Sequence, residues 1–196
     1  MGCGGSPRHA AAPTTPGQTR TAEPTTAASS VPASTSPGAL QAEANSAAAG
    51  DIPDNQAFLT FDNGAAGYAM KYPEGWAQHG SGGTVTFRDK NNIVRVVIAH
   101  GAKPSAAMVK RDLLQLHGAK LESSPQPVGF SGSRGFKAVY STVSAPSAVT
   151  GKRVALVVDR YYLWRGGRLA VVDLGTPVGV DNVDAYRLMI QSLRLR

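Results

Sequence analysis

The stretch DRYYLWRGGR, Asp159–Arg168, interleaves aromatic rings with guanidinium groups. Arginine pairs bidentately with carboxylates and phosphates and stacks on ring faces, so such a run can hold an anionic ligand. Arg165 and Arg168 flank Gly166 and Gly167. Like charges across one turn make it the first place to look for an anion. Tyr162, Trp164, Arg165 and Arg168, with His100 at the end of an apolar run, form the candidate ligand-binding set. A strand with a basic hairpin tip would use the same residues structurally, because Tyr and Trp favour strands anyway.

Other reactive side chains are scattered. The four histidines are His9, His79, His100 and His117. None stands i, i+4 from another, and H-E-x-x-H is absent, so no metal site is expected. His117, near a predicted helix C-terminus, suits the negative end of the helix dipole. GFSGSRG, with Ser131 and Ser133, lacks the strand-to-helix context of a nucleophile elbow and reads as a loop before a strand. HGSGG and WRGGR match no phosphate-binding glycine motif and read as turns; no cofactor is expected. Asp159 and Asp173 fall on neighbouring strands without facing each other, so a salt bridge is a simpler use for them than paired acid–base work.

The one cysteine, Cys3, lies in the opening MGCGGS. A lone cysteine allows neither an intrachain disulfide nor a cysteine zinc site. Two chemistries would modify it. M-G-x-x-x-[ST] is an acceptor pattern for myristate on Gly2, with Cys3 free for a palmitate. GCGGS is also similar to the cut end of a bacterial lipoprotein signal, whose cysteine carries the lipid. The first places the chain on a cytosolic leaflet, the second on the outer face of the cell membrane.

Composition divides the chain. Residues 1–50 contain no aromatic side chain and consist largely of Ala, Thr, Ser, Pro and Gly. Such a segment buries too little apolar area to offset its conformational entropy, so residues 1–54 are expected to be a disordered tether. Residues 55–196, roughly 140 in number, suffice for one well-buried domain. The first fifty residues carry Arg8 and Arg20 against Glu23 and Glu43, so the net charge of +7 belongs to the residues that follow them. A basic domain fits an anionic surface or nucleic acid. No run of five basic residues occurs, which disfavours nucleic acid. No segment reaches the roughly 18 apolar residues of a membrane-spanning helix.

Periodicity supplies the elements. AFLTFDN and AGYAMKYPEGW alternate as short strands, the second stopping at Pro73; GTVTFRD and NIVRVVIAH read as a hairpin whose second strand is central. PSAAMVKRDLLQLHG switches to helical spacing, with Pro104 in the first turn, Gly118 as C-cap, Ala106, Val109, Leu113 and Leu116 inward, and Lys110 and Arg111 outward. GFKAVYSTVS, KRVALVVDRYYLW and RLAVVDLGTP follow as strands. A two-residue turn at Gly166-Gly167 sets Arg165 opposite Arg168, Trp164 opposite Leu169, Tyr162 opposite Val171 and Arg160 opposite Asp173. That last pair is expected as an ion contact of roughly 0.2–1 kcal/mol. The closing helix is capped by Asp181, with Val183, Tyr186, Ile190 and Leu193 inward. Strands, helix, three strands and helix make an α+β domain, an antiparallel sheet with helices packed on it.

Two of these pieces carry a resemblance. GYAMKYPEGWAQ, with Tyr72, Pro73, Gly75 and Trp76, resembles the opening of PsbP-like (Mog-type) domains, and DAYRLMIQSLRLR resembles their final helix and last short strand. With the GCGGS start and Thr/Pro/Ala tether, the chain is similar to actinobacterial envelope lipoproteins of the LpqN/LpqT group. The resemblance implies an α/β/α sandwich and a lipid on Cys3 as the membrane anchor, placing the domain outside the cell. It further implies a non-enzymatic binding or accessory role toward an envelope protein or a small amphiphilic or anionic ligand. Two other roles stay open on the residues: a hydrolase or transferase using His100 with a nearby Asp or Ser, and a nucleic-acid binder using Arg160, Arg165, Arg168 and Lys152 or Arg153 on one face.

Overall fold

A computed structural model describes residues 1–2, 49–146 and 151–196. Cys3 and most of the expected tether lie outside the described residues. Residues 49 onward belong to one compact unit, Thr35–Arg196. Its strands are β1 (Phe58–Asn63), β2 (Tyr68–Pro73), β3 (Ala77–Ser81), β4 (Thr84–Asp89), β5 (Asn92–His100), β6 (Lys120–Leu121), β7 (Gln126–Phe130), β8 (Ser133–Val143), β9 (Ala155–Arg165), β10 (Arg168–Pro177) and β11 (Arg194–Leu195). Helix α1 (Ala106–Leu114) follows β5, and α2 (Val183–Ser192) follows β10.

The pairings are antiparallel and make two sheets, not one. β1-β2-β11 form the smaller; the larger runs β3-β4-β5-β10-β9-β8-β6, with β7 also paired to β8. In the smaller sheet, Arg194 and Leu195 of β11 pair with Ala69 and Tyr68 on the edge of β2 opposite β1.

Period-2 alternation gives the large sheet two apolar faces. On one, Val94, Val96, Leu163, Ala170, Val172 and Leu174 pack with Tyr186, Met189 and Ile190 of α2 and with Tyr68, Met70 and Leu195 of the small sheet. On the other, Ala138 and Tyr162 pack with Val109 and Leu113 of α1. Helices therefore lie on both faces, as the α+β reading expects. Tyr72 stacks on Phe87 with ring centroids 4.4 Å apart, and Trp76 is buried, so the YPEGW aromatics serve the core.

The RGG hairpin has the expected register at all four pairs. Gly166 and Gly167 have φ of 54° and 81°, the conformation a primed two-residue turn requires at both positions. Elsewhere the elements shift. Helix α1 is about two and a half turns at 3.6 residues per turn, shorter than expected. The Ser105 hydroxyl caps it by accepting from the Met108 amide at 3.2 Å, leaving Pro104 outside the helix. The first three residues of HGSGG, read as a turn, belong to the edge strand β3. GFSGSRG is a hairpin tip in which Phe130 pairs with Ser133. Ser131, at φ 54°, is tied there by donating to the Gln191 carbonyl at 2.9 Å and by an Arg194 guanidinium. Along α2, Val183 is exposed, and Met189 is buried beside Tyr186 and Ile190.

The N-cap of α2 is Asn182, not Asp181, although Asp181 Oδ1 still accepts the Val183 amide at 3.2 Å. Asn182 is 3% exposed because its side chain turns inward. Its Oδ1 accepts the Ile52 amide at 2.8 Å, and its Nδ2 faces Thr176 Oγ1 at 2.9 Å and Asn92 Oδ1 at 3.1 Å. Asn92 Nδ2 donates to the Gly50 carbonyl at 2.5 Å. The packed domain thus reaches upstream of Asn55 to Gly50. Replacing Asn182 by Ala strands the Ile52 amide, while Thr176 Oγ1 and Asn92 Oδ1 keep each other at 3.2 Å, so a loss of about 1–3 kcal/mol is expected. Urea denaturation measures that loss, and limited proteolysis should show new cutting near Ile52.

Candidate functional site: a cleft beside helix α1

The large sheet separates the candidate ligand-binding residues into two groups. Tyr162 and Trp164 share the α1 face with Leu169 and Val171, their cross-strand partners. Arg165, Arg168 and His100 form a row on the α2 face, since Arg168 pairs with both of the others. Arg165 donates to the Ser131 carbonyl at 3.3 Å, and the Arg168 guanidinium lies against Gly67. Trp164 Nε1 donates to the Gly101 carbonyl at 2.9 Å. His100 is exposed and, among the described residues, its side chain makes no hydrogen bond or ion pair, so no acid or hydroxyl is positioned to work with it. The basic face proposed for nucleic acid does not assemble. Arg160 is buried on the α1 face, and Arg153 donates to the Ser144 carbonyl at the far end of the β8–β9 pair. At extended rise, β9 alone puts about 33 Å between its two ends.

What the fold does assemble lies around Arg160, whose side chain is 10% exposed. Its Nη1 donates to both oxygens of Asp173, each at 2.9 Å. Its Nε donates to the Tyr162 hydroxyl at 2.7 Å, and its Nη2 to Asp112 Oδ2 at 3.2 Å. The Tyr162 hydroxyl donates in turn to Asp112. Asp112 belongs to α1, so this cluster is the polar pin that seats the helix on the sheet. The expected ion contact is therefore a buried network, because α1 covers the strands at this point.

Burial pushes the Asp173 carboxyl above the usual carboxylate range, further than the Arg160 guanidinium pulls it down. For Arg160, burial opposes the charge, but Asp173, Tyr162 and Asp112 together hold its pKa above the ordinary value. Burial pushes the Tyr140 phenol, whose hydroxyl donates to Asp173 at 3.4 Å, up to about 12. Tyr162 is raised by burial and by its bond to Asp112. At neutral pH both phenols are donors and Arg160 is a cation.

Helix α1 is too short to cover its face of the sheet. Beside it opens a cleft of about 410 Å³ whose walls include Arg95, Val97, Met108, Arg111, Leu169 and Val171, with Arg160, Tyr162 and Asp112 at its base. Val97, Met108, Leu169 and Val171 are half-buried, while Arg95 and Arg111 are exposed. Among the described residues, neither exposed arginine makes an ion pair or hydrogen bond through its side chain. Arg95 acts on the Asp173 carboxyl only through its field. No group of three or more metal-ligating side chains occurs among the described residues. The arrangement can bind a small molecule by apolar contact and by charge.

Of the expected residues, only Tyr162 lines this cleft. Arg95, Arg111 and Asp112 carry no ligand-binding expectation from the sequence, and Arg160 carries one only as part of a nucleic-acid-binding face. A signal for Arg95 was present: in NIVRVVIAH it shares a face with Ile93 and Val97, a single cation between apolar neighbours.

No family model matches the chain, and no curated protein sequence matches it. Among solved structures, it is similar to cyanobacterial PsbP (CyanoP) from Synechocystis, with 17% identity over 75% of this chain and 98% of that one, TM-score 0.46. It is similar to the Ran-binding protein Mog1p of Saccharomyces cerevisiae, with 11% identity over 72% and 96% of the two chains, TM-score 0.44. A Bacteroides thetaiotaomicron protein shares 17% identity over 70% of this chain, TM-score 0.46. The chain spans 48% of that protein's length. The α+β architecture itself rests on the strand pairings and helix packing described above.

Proposed function

We propose that the protein is a cell-envelope lipoprotein of the actinobacterial type, held on the outer face of the membrane through Cys3. Its domain acts there as a non-enzymatic binding or accessory module for an envelope protein or a small amphiphilic or anionic ligand. The cleft beside α1 carries the binding part of this reading. Its 410 Å³ lies in the range of roughly 300–1,000 Å³ typical of small-molecule sites, and apolar walls with a few convergent polar groups are their usual lining. The MGCGGS opening, the Ala/Thr/Pro stretch and the YPEGW piece support the anchoring part.

Native mass spectrometry of the full chain recovered from the membrane fraction of its own cells tests both parts. The expected spectrum shows a diacylglyceryl group on Cys3 and a non-covalent small molecule, or a bound envelope protein, that leaves on denaturation. Myristate on Gly2 would overturn the compartment. An unmodified chain without any bound species would overturn the whole reading.

A further inference from the structure

We infer that the cleft beside α1 selects a single-chain anionic amphiphile, its headgroup held between Arg95 and Arg111 and its chain laid along Val97, Met108, Leu169 and Val171. This rests on the binding-module reading and names the ligand class for that site. Charge decides the headgroup. Three guanidiniums and one carboxylate line the cleft, and the second carboxylate nearby is Asp173. Both carboxylates are taken by Arg160, which donates to Asp112 and to both oxygens of Asp173. With its Nε on Tyr162, Arg160 keeps at most one N–H for a newcomer. Arg95 and Arg111 have their full sets of side-chain donors, and an entering cation would meet two positive charges with no carboxylate paired to them.

The walls decide the rest of the molecule. Four half-buried aliphatic and thioether side chains form them. A bare inorganic anion would leave those walls without a partner. A nucleotide base would find no exposed ring on which to stack, since the one aromatic residue in the lining, Tyr162, is 1% exposed. An alkyl chain fits both facts, and a charged head held by two arginines fixes its direction in the cleft.

Calorimetric titration of the full chain with three dodecyl probes, each below its micelle concentration, tests the inference. Dodecanoate is expected to bind and dodecyltrimethylammonium to give no heat. Dodecyl maltoside is expected to bind at least tenfold more weakly than dodecanoate. Shortening the carboxylate from dodecanoate is expected to weaken binding by about fourfold per methylene removed. The double variant R95Q/R111Q should lose at least tenfold in dodecanoate affinity. R187Q, on α2 and outside the cleft, should bind as the wild type does. Both cleft arginines are exposed, so the double variant should keep its circular dichroism spectrum and melting temperature. Equal binding of all three probes, or unchanged affinity in the double variant, would overturn the charge selection and leave the binding module standing. A small ligand retained from the envelope alongside no heat from any probe would overturn the ligand class alone.

Discussion

Asp173→Ala is expected to lower the unfolding free energy by about 3–5 kcal/mol, the usual cost of leaving a buried charge without its partner. The one counter-charge left to Arg160 would be Asp112, whose side chain is 43% exposed and therefore screened by water. For a domain of this size, each kcal/mol shifts the melting temperature by about 2–4 °C, so a fall on the order of 10 °C should be visible. The instructive comparison is the double variant R160M/D173L. Removing both charges replaces the pair by apolar side chains in a face already lined by Val171, Leu169 and Tyr140. Exchanges of that kind are often neutral or stabilising, so the double variant should recover most of the loss. Urea denaturation of the single and double variants reads both effects. A single variant within 1 kcal/mol of wild type would show that the network does not hold α1 in place.

The second large effect belongs to Gly135. It pairs with Leu163, one pair in from the end of the β8–β9 ladder. A Cβ built there falls on the Tyr162 carbonyl oxygen, 2.7 Å from the carbonyl carbon and 3.2 Å from the Leu163 Cα. All three are backbone atoms of β9, so no rotamer change relieves the overlap. Gly135→Ala must push β8 away from the strand that carries Tyr161, Tyr162 and Leu163, all within the core. The expected loss exceeds about 4 kcal/mol, the range reserved for substitutions that break the packing itself. Thermal unfolding, or failure to recover soluble protein, measures it. Gly64→Ala supplies the contrast: nothing lies within 4 Å of its Cβ, and the change should stay within about 0.5 kcal/mol.

How much of this was legible depended on how local the determinant is. The β9–β10 register followed from RGG alone, because a primed turn needs positive φ twice and two glycines provide it. The strand ending at Pro73 was equally local, proline having no amide to continue a ladder. The burial of Arg160 and Asp173 was not local. Their pairing could be counted along the hairpin, but whether water reaches them depends on α1, some fifty residues upstream. Likewise, Asp181 was the expected cap, and Asn182 took that place because Asn92, Thr176 and Ile52 offered its amide partners from distant segments. The cleft was hidden for the same reason. It exists because a helix covers only part of a sheet, and only helix length set against sheet width reveals that. The histidine and serine signals had no such convergence behind them, and the fold leaves His100 alone at a strand end.

The Asn182 latch also governs how the domain is presented. Asn92 and Thr176 lie in phase with Val94, Val96, Val172 and Leu174, so the latch sits on the α2 side of the large sheet. The cleft opens on the α1 side. A chain entering at Gly50 therefore joins the domain on its back, and the pinned amides at Asn92 and Asn182 deny it a swivel there. Whatever holds the chain upstream, the mouth of the cleft points away from the point of attachment.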